Sequence, residues 1–157
     1  MIKRVLIILI ACGLLLASCG KEIVQGVLMV CFVLATDDTA DKDEVFAFVS
    51  SHEAELLEAV ESGDYSDFEN QGFIKEIDAD DGAVTFSCGG AGIGSGTSYA
   101  GFYYTSADDL TAVWCAPSSE ASLKPDGAGY SWRQTDGDNW YYTEKIGGSF
   151  YYYEASF

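Results

Sequence analysis

The chain has 157 residues, with 8 Lys plus Arg against 25 Asp plus Glu and a formal net charge of −17. So many carboxylates repel phosphate backbones, whose binding depends on Lys and Arg displacing counterions, and nucleic acid is excluded as a direct partner. Hydrophobic residues make up 48% and aromatic residues 14%, which excludes a wholly disordered chain and supplies one core.

Residues 1–35 open with Lys3 and Arg4 and pass into an apolar run over 5–18, the layout of an export signal. Leu16-Ala17-Ser18-Cys19 resembles the lipobox of bacterial lipoproteins, in which the cysteine receives lipid after cleavage before it. A second apolar run over 23–35 follows Gly20-Lys21-Glu22, so 5–35 also exceeds the roughly 20 residues that cross a bilayer as an uncut helix. Val33-Leu34-Ala35 offers a third reading, a signal-peptidase site before Thr36 that releases the chain. In all three, Lys3 and Arg4 hold the amino end in the cytoplasm and residues 36–157 lie outside. Residues 1–35 are thus a signal peptide or membrane anchor, and 36–42 an acidic linker.

From 43 to 62 the apolar period becomes helical. Val45, Val49, Leu56 and Val60 form a stripe that Phe46 and Leu57 widen, with Asp41 or Asp43 as the cap and Gly63 as the stop. Beyond Gly72 the pattern changes to short strands at 73–78, 83–88, 99–105, 110–115, 129–134, 139–146 and 149–156. Acidic or glycine-bearing turns separate them. Residues 43–157 therefore read as a single exported α+β domain. Its expected architecture is one amphipathic helix packed on an antiparallel meander of about six to seven strands, preceded by an N-terminal hydrophobic helix.

Cys12 and Cys31 lie in apolar segments and suit packing; Cys19 is the candidate for lipid attachment. Cys88 and Cys115 fall at strand ends in the exported part, where a disulfide persists, and are expected either as that pair or as two buried thiols. The glycine-rich run over 89–96 fails as a phosphate loop, because Ser95 stands where a dinucleotide fingerprint needs glycine and no lysine follows Gly94. His52 is the only histidine and falls beside the helical stripe, too isolated to build a zinc site. Asp78, Asp80 and Asp81 before Gly82 miss the spacing of a calcium loop by one residue. No catalytic residue, metal ligand or cofactor is expected.

Of 22 aromatic residues, 15 lie between Tyr99 and Phe157, and several are consecutive. Consecutive strand residues alternate faces, so these cannot all meet the helix. Phe102 and Tyr104 are expected inward and Tyr103 outward. Tyr103, Trp140, Tyr142, Tyr151 and Tyr153 form the candidate binding surface.

The segments Phe86-Ser87-Cys88-Gly89-Gly90, Thr97 to Tyr104, Asp138 to Lys145 and Phe150 to Glu154 resemble motifs of a group of small uncharacterised bacterial proteins, exported or membrane-anchored. That resemblance spans about residues 43–157 and implies no activity. The expected function is a non-catalytic binding or interaction domain on the outer face of the cell membrane, reached through the N-terminal segment, with a protein or carbohydrate partner. The alternatives are a hydrolase of cell-surface glycans using Asp108, Asp109, Asp136 and Asp138, or a passive structural subunit.

Overall fold

A computed structural model describes residues 40–69, 72–80, 82–91 and 96–157, which fall within one compact unit, Asp38–Phe157. The expected signal or anchor over 1–35, Cys19 within it, and linker residues 36–39 lie outside the described residues. No helix among the described residues is long and apolar enough to cross a membrane.

The fold begins earlier than the linker reading implies. Ala40 N donates to Cys88 O at 3.2 Å, and the Asp41 carboxylate accepts from Asp43 N at 3.0 Å, capping α1 (Lys42–Ser51). Asp43 and Glu44 then sit at the positive end of the helix dipole. The expected single helix breaks at His52, with α2 running over Glu53–Ser62. His52 leaves helical geometry at φ −121°, ψ 19°, and its Nδ1 lies 2.9 Å from Phe48 O, a carbonyl at the end of α1. The imidazole stacks on Phe48 at 4.5 Å, so it closes one helix and opens the next. Gly63 ends α2 in the left-handed region at φ 71°. Val45, Val49, Leu56 and Ala59 are buried, whereas Leu57 turns out to solvent, because the break shifts the stripe.

Seven strands form one antiparallel sheet: β1 (Glu76–Asp80), β2 (Ala83–Ala91), β3 (Ser98–Thr105), β4 (Lys124–Asp126), β5 (Gly129–Arg133), β6 (Trp140–Gly147) and β7 (Phe150–Ser156). The α+β class holds. The order β1-β2-β3-β7-β6-β5-β4 makes two meanders that meet where β3 pairs with β7, not one continuous meander. Residues 110–115, expected as a strand, belong instead to the connection from β3 to β4, which crosses the sheet. Leu110, Ala112, Val113 and Cys115 pack onto the sheet's second face.

Each face has its own core. The helices cover Val84, Phe86, Phe102, Phe150 and Tyr152, with Phe86 and Phe102 stacked at 4.5 Å and 6°. The crossover covers Tyr103, Tyr141, Tyr151, Tyr153 and Ala155. Cys88 belongs to the first core and Cys115 to the second, so the sheet itself separates the two thiols, and of the two expectations the structure has two free, buried cysteines. Burial pushes both thiols up to about 12.

Candidate functional site

Strand alternation does send Phe102 and Tyr104 toward the helices and Tyr103 to the opposite face. That opposite face is not free. Tyr103, Tyr151 and Tyr153 are at most 1% exposed, which removes them from the candidate binding surface. Their hydroxyls are engaged as well. Thr143 Oγ1 donates to Tyr152 O at 2.9 Å, so the Tyr103 hydroxyl, 3.0 Å away, donates to Thr143. Tyr151 donates to the Asp108 carboxylate, and Tyr153 lies 3.3 Å from Ser87 Oγ. Burial raises the Tyr103 hydroxyl to about 12, and Tyr153 is pushed up by the same cause. These tyrosines are a polar-tipped core.

Trp140 and Tyr142, the other two expected residues, remain half-exposed on the helix side. Cross-strand register places Arg133 opposite Trp140, and Lys124 and Ser131 in one row with Tyr142 and Glu154. The ring of Tyr142 leans over Gly129, where an added Cβ would stand 2.9 Å from ring atom Cζ and 2.2 Å from Thr143 O. Lys42 of α1 holds the ring there. Its ammonium lies 4.9 Å from the Tyr142 ring centroid, 5.4 Å from that of Phe46 and 5.7 Å from that of Tyr152, and it pairs with Glu144. Desolvation opposes the charge on Glu144, but hydrogen bonds from Lys42 and Tyr142 outweigh it and hold the carboxyl below its usual range. Beyond this latch no helix among the described residues covers the sheet. It carries a groove of about 260 Å³ bordered by Asp126, Ser131, Arg133, Trp140, Tyr142 and Glu154.

A larger cleft, about 590 Å³, opens on the second face between the crossover and the β1–β2 edge. Its borders include Glu76, Ser87, Gly90, Tyr99 and Trp114. Trp114 is 60% exposed, yet it is oriented: Tyr99 meets it edge-on at 5.1 Å and Phe157 at 6.2 Å. A bulge in β2 between Ser87 and Gly90 opens the floor beside it. Neither Tyr99 nor Trp114 stands out in the sequence, because Trp114 lies in a short apolar run that reads as a strand.

The carboxylates of the hydrolase alternative do not converge. Asp108 sits in the left-handed region at φ 58° and pairs with Lys145 at 2.5 Å, which lowers its carboxyl. Asp109 accepts from Thr111 N and Thr111 Oγ1 at 2.7 Å each. Asp136 and Asp138 lie in the turn before Trp140, at the other end of β6 from Lys145, about 17 Å away at about 3.3 Å per residue. Glycosidase carboxyl pairs stand about 5–10 Å apart. Asp78 and Asp80 occupy the edge strand β1, Asp81 lies outside the described residues, and no group of three or more potential metal ligands occurs among the described residues. No family model, no curated protein and no solved structure matches the chain.

Proposed function

We propose that this chain is an exported protein held at the outer face of the cell membrane by residues 1–35, and that its domain binds a surface saccharide without transforming it. The observation that carries the binding reading is Trp114, a large ring left in water but fixed by Tyr99 and Phe157 at the lip of a cleft. An indole face offers apolar area to the C–H face of a sugar ring. Ser87 and Glu76 stand in the same cleft to exchange hydrogen bonds with its hydroxyls. The separation of Asp108 and Asp109 from Asp136 and Asp138 weighs against bond cleavage by those groups.

The test is calorimetry with a panel of neutral oligosaccharides against the parent and Trp114→Ala. A saccharide that binds the parent and is lost in the variant, with thermal stability unchanged, supports the cleft. Binding unchanged by Trp114→Ala sinks it. Export is tested apart, by protease added to intact cells, which should remove the domain; full protection until lysis refutes the topology. Loss of lipid labelling in Cys19→Ala identifies the lipid anchor among the three readings of the amino terminus.

A further inference from the structure

The three tryptophans of the chain gather at one end of the sheet. Ser98 in β3 and Trp140 in β6 both pair with Ser156, where β7 closes. Trp132 stands opposite Tyr141, one step in from Trp140. Trp114 rests on Tyr99 and Phe157, which belong to the same end. All three indoles are at least partly exposed. The opposite end carries Asp80, Asp108 and Asp109 instead. An indole, apolar but for one N–H, settles where hydrocarbon meets water, which is the headgroup level of a bilayer.

The chain enters the domain close by. Ala40 N donates to Cys88 O at 3.2 Å, and the next two residues, Gly89 and Gly90, border the Trp114 cleft. Five chain steps separate Ala40 from Ala35, about 18 Å at full extension. The apolar run ends at Ala35 in both anchored readings of the amino terminus, so the bilayer surface lies within that distance of Ala40. The charges favour an uncharged surface. Lys75 and Glu76 bring one charge of each sign to the cleft, Asp136 and Asp138 reach the same end in the turn between β5 and β6, and the net charge of −17 repels acidic headgroups.

We propose that the tryptophan end of the domain faces the membrane and that the saccharide taken by the Trp114 cleft is the headgroup of a neutral glycolipid in that membrane. The inference rests on the proposed function for both the anchor and the sugar-binding cleft, and adds where the sugar is presented. Trp114 covers the C–H face of the headgroup ring, while Ser87 and Glu76 exchange hydrogen bonds with its hydroxyls. Trp140 and Phe157 meet the surrounding headgroups. A sugar borne by a lipid in the same bilayer is held at high effective concentration beside the tethered cleft, so a weak contact per headgroup suffices.

Residues 1–39 contain no tryptophan, so tryptophan fluorescence of the full chain reports on this end alone. The full chain is reconstituted into phosphatidylcholine vesicles with or without digalactosyl diacylglycerol. Phosphatidylcholine bearing a nitroxide on its headgroup should quench the emission. Acrylamide quenching of the Trp114 contribution, taken as parent minus Trp114→Phe, should fall at least about twofold when the glycolipid is present, because a seated sugar covers the indole face. Protection of Trp114 by free saccharides but not by the glycolipid overturns the membrane source and leaves the saccharide cleft standing. Absence of nitroxide quenching overturns the orientation and likewise spares sugar binding. Equal shielding by phosphatidylcholine alone assigns the contact to the bilayer and overturns the headgroup as ligand. No protection by the glycolipid or by any free saccharide overturns the inference together with the cleft.

Discussion

Tyr103 offers a direct measure of how much the second core contributes. Its ring is 0% exposed, stacked on Tyr151 at 5.3 Å and 19°, and its hydroxyl donates to Thr143 at 3.0 Å. Tyr103→Phe keeps the ring and deletes that hydrogen bond. Thr143 still donates to Tyr152 O, so no buried donor is orphaned, and the cost should be about 1 kcal/mol. Tyr103→Ala removes the ring as well and opens a void between Tyr151, Tyr153 and the crossover, which places it at about 3–5 kcal/mol. Phe102→Ala, on the helix face, should fall in the same range, since its ring is equally buried. Urea melts of the three variants, fitted with a common slope, give the comparison. If Tyr103→Ala lies within about 0.5 kcal/mol of the parent while Phe102→Ala is strongly destabilised, the crossover does not pack on the sheet and the two-core description fails.

Gly129→Ala should destabilise by about 1–3 kcal/mol, because its Cβ meets Thr143 O at 2.2 Å, while Gly72→Ala, with nothing within 4 Å, should be near neutral; thermal melts distinguish them. Glu144 has its carboxyl held below the usual range in the fold, so its contribution is complete above about pH 4.3 and disappears as pH falls through the folded value. The stability difference between the parent and Lys42→Met should therefore shrink on acidification below about pH 4.3, and a difference independent of pH would exclude the Lys42–Glu144 pair as its source. Buried thiols with raised pKa react slowly, so peptides containing Cys88 and Cys115 should escape maleimide labelling in the native protein and be labelled after denaturation.

Local rules made much of this fold legible. The Asp41 cap, the Gly63 stop and the alternation in β3 and β7 all act over a few residues, and each appears where the sequence places it. The break at His52 was hidden, since neither glycine nor proline marks it and the cause is a side chain taking a carbonyl within hydrogen-bonding reach. Alternation also separates Tyr103 from Phe102 but says nothing of what lies above either face. Burial of Tyr103, Tyr151 and Tyr153 depends on where residues 106–123 travel, a long-range matter that a short apolar run cannot disclose. The same misreading of 110–115 concealed Trp114 and placed Cys115 at a strand end, which left its pairing with Cys88 open. Trp140 and Tyr142 stayed half-exposed because α1 ends its coverage at the Lys42 latch.

The place of β7 has a consequence for how the chain acquires its structure. This last strand in chain order is central, pairing with β3 on one side and β6 on the other. Until it is available, β1–β2–β3 and β4–β5–β6 share no hydrogen-bonded edge, and each exposes one through Tyr103 or Thr143. A polypeptide emerging amino end first must therefore wait for its final strand before the halves can join. Loop closure on that scale slows folding relative to a nearest-neighbour meander. The waiting edges are also the surfaces on which two nascent copies could pair with each other.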